Sequence, residues 1–185
     1  VISSNGKDII NIKYNRFDSY PTILSNKIHK VKENISERQD LLRYSSDIED
    51  LEIQITNFHA DIANKVPKEI NFDLIGFHGH TIYHNKEEKI SKQVGLGMNL
   101  SRITNKTVVY DFRQNDIKNG GEGAPLSPIY HLAIIKSLFN ANKVKIPISI
   151  LNIGGIANIT EIDKDFNISS RDIGPGNCLI DKWVR

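Results

Sequence analysis

Four short apolar runs of strand character each empty into a glycine-rich polar segment, and this repeated juncture constrains the fold more than any single residue. Residues 73–77 run into His78-Gly79-His80-Thr81, and residues 107–111 into a polar loop over 112–126. Residues 147–153 run into Gly154-Gly155, and 165–171 into Asp172-Ile173-Gly174-Pro175-Gly176-Asn177. Between them lies helical periodicity. Ile48, Leu51, Ile55, Phe58, Ile62 and Val66 recur every three or four positions, which puts them on one helix face. Ser46 or Asp47 is placed to cap that helix and Pro67 to close it. The spacing also predicts helices over 21–33, 96–104, 128–140 and beyond 177, and strands over 8–14, 89–94 and 156–162. Interleaved strands and helices define an α/β class. The tight turns among the last three strands predict antiparallel neighbours, and in open α/β sheets ligands gather at strand ends.

The chain has 185 residues, 24 Lys+Arg against 22 Asp+Glu, and a single cysteine, Cys178. So even a charge balance argues against a nucleic-acid partner. No apolar run reaches the roughly 18 residues a membrane helix needs. One cysteine leaves no internal disulfide and suits a reducing compartment. Val1 opens no signal peptide, the turn at Asn5-Gly6 implies a partner strand mostly missing upstream, and the chain stops inside a helix at Arg185. The sequence therefore reads as a fragment.

All four junctures carry chemistry by residue type. Asp172 sits at a strand end before a glycine-rich turn. A carboxylate there serves as a general base, with backbone amides beside it for phosphate; alternatively it only caps the turn. Gly154-Gly155 forms a hairpin whose backbone can approach a phosphate, or is a plain β-turn. The 112–126 segment, entered through Asp111, offers Arg113 and Asp116 to a polyhydroxy ligand or to Mg²⁺ through water, or holds an internal Arg–Asp pair. His78-Gly79-His80 has chelate spacing for zinc but lacks an accompanying Cys cluster or H-E-x-x-H pattern. Polar substrate contact is the other reading of these histidines.

Taken in order, five strings are far more specific together. They are Gly76-Phe77-His78-Gly79-His80-Thr81-Ile82, Val108-Val109-Tyr110-Asp111-Phe112-Arg113-Gln114-Asn115-Asp116, Gly120-Gly121-Glu122-Gly123-Ala124-Pro125-Leu126, Leu151-Asn152-Ile153-Gly154-Gly155-Ile156-Ala157-Asn158 and Asp172-Ile173-Gly174-Pro175-Gly176-Asn177. With them the chain resembles the anhydro-N-acetylmuramic acid kinases, strongly from about residue 70 to 183. The resemblance implies a ribonuclease H-like, actin-like ATPase fold of two α/β lobes around a cleft, here incomplete. Residues 1–140 would form an N-terminal lobe lacking its first phosphate loop, and 141–185 the truncated start of a second. It implies use of ATP with Mg²⁺ to hydrolyse the anhydro bond of 1,6-anhydro-N-acetylmuramic acid and phosphorylate the freed sugar oxygen, in peptidoglycan recycling in the bacterial cytoplasm. No metal is held directly by the protein; Mg²⁺ comes with ATP.

By motif, the resemblance makes Asp172 the catalytic base. Gly154, Gly155, Asn158, Gly174, Gly176 and Asn177 become the phosphate and nucleotide contacts. His78, Gly79, His80, Thr81, Asp111, Arg113, Asp116 and Gly123 fall near the sugar. The partners implied are the amino sugar and ATP, with no nucleic acid or membrane, and either a homodimer or a complementary chain. The sequence departs from the family at His80 and Glu122, where Gln is usual, and after Gln93-Val94-Gly95. It lacks the family's first phosphate loop and its Gly-Gly-Gly adenosine segment. Those gaps motivate the alternative of a non-catalytic remnant, at most a weak sugar-binding module, that exposes apolar surface and self-associates. A metal hydrolase built on His78 and His80 is a third reading.

Overall fold

In the computed structural model, which describes residues 1–184, the 48–66 stripe does organise a helix. The elements in order are β1 (Ile2–Ser4), β2 (Ile9–Ile12), α1 (Thr22–Asn34), α2 (Asp40–Arg43) and α3 (Ser45–Asn64). Then come β3 (Leu74–Gly76), β4 (His80–Asn85), β5 (Ile90–Val94), α4 (Gly97–Thr104), β6 (Thr107–Val109) and α5 (Phe112–Lys118). The last are α6 (Ser127–Asn140), β7 (Ile148–Ile153), β8 (Ile156–Ile162), β9 (Ile168–Pro175) and α7 (Cys178–Val184). The chain is thus mixed α/β, with four small sheets among the described residues.

It divides into two compact units. The first comprises Val1 and residues 14–124, the second residues 2–13 and 125–185. The division falls at Ala124/Pro125 rather than near residue 140, and the N-terminal hairpin goes with the second unit.

In the first unit, Ile48, Leu51 and Ile55 of α3 are buried together with Leu24, Ile28 and Val31 of α1, Val94 of β5 and Leu100 of α4. Burying each such side chain stabilises by about 1.5–3 kcal/mol. A polar seam is built into the same helix. Thr56 Oγ1 donates to the Glu52 carbonyl (2.6 Å) and accepts from Leu96 N–H (2.8 Å), while the Glu52 carboxylate accepts from Lys92 Nζ (2.7 Å). These bonds fix β5 and the start of α4 against α3. β3 and β6 pair in parallel, with Gly76 opposite Val109, and Phe77 N–H donates to the Val109 carbonyl (2.8 Å). His78 and Asp111 thereby leave neighbouring strand ends.

In the second unit, β7, β8 and β9 form one antiparallel sheet. α6 packs on one face, where His131 Nδ1 meets Thr160 Oγ1 at 2.9 Å and Ile162 is buried. β2 also contacts α6.

Five expectations need correcting. The partner of the residue 9–12 strand is present: Ile2–Ser4 pairs with it across Asn5-Gly6. Ser46 and Asp47 do not cap α3, because the helix already starts at Ser45, following Tyr44 and the short α2. Residues 80–85 form a strand paired with β5. The 112–126 segment opens with a helix, α5, and is not loop throughout. β9 continues through Asp172 to Pro175, so Asp172 lies within the strand, beside an irregularity in its pairing with β8.

Candidate functional site

The sequence-predicted residues gather into two clusters, one in each unit. In the second unit the cluster rests on strand register. Asn152 of β7 lies opposite Asn158 of β8, which lies opposite Asp172 of β9. Directly opposed residues in antiparallel strands share a face, with Cβ atoms about 4.5–5.5 Å apart. The three polar side chains therefore form one cross-strand row, on the face that carries Thr160. The next pairing is Ala157 with Gly174, which leaves Ile173 as the extra residue of a bulge. Such bulges re-aim neighbouring side chains. Asp172 is exposed, and its carboxylate has no hydrogen-bond or ion-pair partner among the described residues. It therefore caps neither the turn nor α7. Asn158 Oδ1 is buried and accepts no hydrogen bond among the described residues.

The turn after β9 is clasped to the hairpin. Gly176 and Cys178 N–H donate to the Gly155 carbonyl (2.9 and 3.3 Å), and Asn177 N–H to the Gly154 carbonyl (2.7 Å). Asn177 Nδ2 adds a bond to the Ile153 carbonyl at 3.1 Å. A side chain at Gly176 would run into the Gly154 carbonyl, so glycine is required there by close backbone approach. The amides of 176–178 are consequently committed inside the protein and are not the open phosphate cradle the sequence suggested. The clasp uses the carbonyls of Gly154 and Gly155, not their N–H groups.

In the first unit, three separate strings converge on Arg113. Its Nε–H donates to His78 Nε2 (3.0 Å) and its Nη1–H to the Gly123 carbonyl (3.0 Å). His78 Nδ1 lies 3.0 Å from the Gly79 carbonyl. With Nε2 accepting and Nδ1–H donating, the imidazole is the neutral Nδ1-protonated tautomer. Gly123 N–H donates to Asp116 Oδ2 (2.8 Å), and Gly123 holds a φ of +76°, a conformation that favours glycine. The internal Arg–Asp pair entertained from sequence is therefore not formed. Burial holds the Arg113 pKa below its ordinary value.

The remaining predicted residues stand apart from this convergence. His80 turns into an aromatic group, with its ring 6.3 Å from that of Tyr20, whose hydroxyl meets His59 Nε2 at 2.9 Å. Burial, and then nearby Lys32 and histidines, lower the His80 pKa. His78 and His80 thus serve different surroundings, and no group of three or more potential metal ligands occurs among the described residues. Thr81 Oγ1 accepts from Gln93 Nε2 at 3.2 Å. Asp111 is exposed, at a positive φ of 58°, just before α5. Glu122 is exposed and paired with Lys86 (2.8 Å), which lowers its pKa. Asn152 went unassigned from sequence; only the strand register places it opposite Asn158, at the other end of the row from Asp172.

The family model described as anhydro-N-acetylmuramic acid kinase matches residues 1–185. The chain belongs to the anhydro-N-acetylmuramic acid kinase family. It is 44% identical over 189 residues to the anhydro-N-acetylmuramic acid kinase of Pelagibacter ubique (strain HTCC1062), covering 100% of this chain and 49% of that protein. Kinases of the same name from Brucella canis (41% identity, 80% of this chain and 39% of the relative) and Rhizobium etli (39% identity, 75% and 38%) also match. The chain spans about half the length or less of these curated relatives. Both clusters of this anhydro-N-acetylmuramic acid kinase family member lie inside the matched span.

Proposed function

We propose that the chain carries the sugar-recognition and water-activating parts of an ATP-dependent kinase for 1,6-anhydro-N-acetylmuramic acid, on an actin-like ATPase fold, in bacterial peptidoglycan recycling in the cytoplasm. The observation that carries this reading is the exposed, unpartnered Asp172 carboxylate beside Asn158 and the clasped Gly154–Gly155 turn. Asp172 takes a proton from a water that attacks the anomeric carbon. The anhydro C1–O6 bond breaks, and the freed O6 receives the γ-phosphoryl group of ATP, giving N-acetylmuramic acid 6-phosphate and ADP. Gly154 and Gly155 offer backbone N–H groups to phosphate oxygens, and the clasp from Gly176, Asn177 and Cys178 holds that turn in place. Mg²⁺ bound with ATP supplies charge neutralisation on the phosphates. The exposed Asp172 carboxylate is a hard oxygen donor that would suit such a cation through water. On the sugar side, His78, Arg113 and Gly123 form the recognition cluster, with Asp116 fixing the Gly123 loop; Gly79, His80, Thr81 and Asp111 flank it.

The test is turnover of the anhydro sugar with ATP and Mg²⁺, followed as sugar phosphate formed. Asp172→Asn is expected to lower kcat by about 10²–10⁴-fold, the scale of a lost general base, while sugar binding persists. Wild-type-like turnover in that variant overturns the assignment of the base. Sugar binding without any turnover in the unmodified chain selects the non-catalytic sugar-binding module instead.

A further inference from the structure

A side-chain hydrogen bond ties α6 to the β7–β9 sheet, and it lands one strand pair away from Asp172. His131 Nδ1 lies 2.9 Å from the hydroxyl of Thr160, which has no exposed surface. A buried pair of this kind adds little net stability over apolar residues of the same shape, so packing alone gives no reason for it. Its surroundings do. Asn158, two positions before Thr160 on β8, points to the same face, because side chains alternate along a strand. Asp172 lies opposite Asn158 across to β9, within cross-strand contact. Between the histidine pair and the carboxylate, Asn158 is the open link. Its Oδ1 is buried without a hydrogen-bond partner among the described residues, a state that costs free energy until the atom is paired.

The chemistry of these groups fixes a direction. An ionised carboxylate only accepts, so Asn158 can serve Asp172 only through Nδ2–H. Its Oδ1 then faces inward, where it is found, and needs a donor. Thr160 stands roughly 7 Å further along the strand from Cβ to Cβ, a gap that the two side chains span when Asn158 extends toward it. If the Thr160 hydroxyl donates there, it must accept from His131, whose Nδ1 then carries the proton.

We infer that His131 is a positioning residue for Asp172: through Thr160 and Asn158 it directs a row of hydrogen bonds onto the carboxylate and holds it in one orientation. This rests on the reading of Asp172 as the general base and adds to it what aims that base.

Three-bond NMR couplings to the Asp172 carboxyl carbon, measured on the unmodified chain without ligand, read how many χ1 orientations the side chain takes. One is expected. Thr160→Val and His131→Phe, which keep shape and remove the donors, should spread it over several. Asn158→Ala should do the same while leaving the His131–Thr160 pair intact. Thr160→Ser should restore the single orientation, as should His131→Asn, whose amide N–H stands in for Nδ1–H. A histidine that only packs would be better replaced by phenylalanine than by asparagine. An Asp172 already averaged in the unmodified chain, or unmoved in folded Thr160→Val, overturns the positioning role. Ser170, opposite Thr160, is the rival donor to Asn158; averaging in Ser170→Ala in place of Thr160→Val also overturns it. Turnover separates this claim from the one beneath it. With Asp172 as base, Thr160→Val should lower kcat about tenfold, the kinetic worth of a hydrogen bond, with KM within about twofold. Averaging of Asp172 with kcat unchanged keeps the hydrogen-bond row and removes Asp172 as the base.

Discussion

The two units bury their apolar residues very differently. The first wraps α1, β4, β5 and α4 around α3, and Leu51 and Ile55 have no exposed surface at all. In the second, Ala133, Ile135, Ala157 and Ile162 are buried, yet Leu151, Ile153, Ile156, Ile173, Leu179 and Ile180 are exposed, Ile153 at 56% and Trp183 at 91%. The proposed sugar-recognition cluster thus sits on a framework with its own core. The proposed general base, Asp172, sits in a sheet with extensive uncovered apolar surface. Local stability follows buried apolar contact, so the Arg113 cluster should persist under conditions that loosen the Asp172 row.

The most severe way to break this contrast is Leu51→Ala. It should cost about 2–5 kcal/mol, as large-to-small changes at fully buried sites do. Hydrogen exchange should show the loss in α3 and α4, with β7–β9 little changed; a uniform loss across both units would mean that they unfold together. Lys92→Met comes next. It strands the Glu52 carboxylate against α3, and should cost about 1–3 kcal/mol in chemical denaturation, with much of that recovered when Glu52→Gln is added. A smaller effect comes from His59 and His80, whose folded pKa values burial lowers. The unfolded chain then binds more protons, so their contribution to stability is complete above the ordinary histidine pKa of about 6.5 and is lost as pH falls through the lower folded values. Melting of the first unit should fall on acidification from pH 7 to 5, and His80→Gln should flatten that profile. Ile153→Lys should leave stability within about 0.5 kcal/mol yet reduce self-association in light scattering, sharpening the view of β7–β9 as an uncovered apolar face.

Legibility in the sequence divides along similar lines. The α3 face was readable because burial enforces its three-and-four spacing. The antiparallel β7–β9 sheet was readable because its turns are short. β4 was missed since its run, His80 to Asn85, mixes polar residues into both faces, and its half-buried pairing with β5 is a tertiary effect. α5 was missed because Gly120, Gly121 and Gly123 suggested loop throughout, although the first two lie just past the helix and serve as its stop signal. Membership of the kinase family was legible from five strings in order. That His78, Arg113 and Gly123 meet, while His80 turns into the aromatic group, was not: adjacent positions along a chain do not reveal which way each side chain faces.

The clasp between Gly154-Gly155 and residues 176–178 makes two chain segments more than twenty positions apart mechanically one piece. An insertion in either turn would slide the other out of register and drag Asp172 with it. The two segments therefore move as one, and a displacement of the hairpin would by the same linkage shift Asp172.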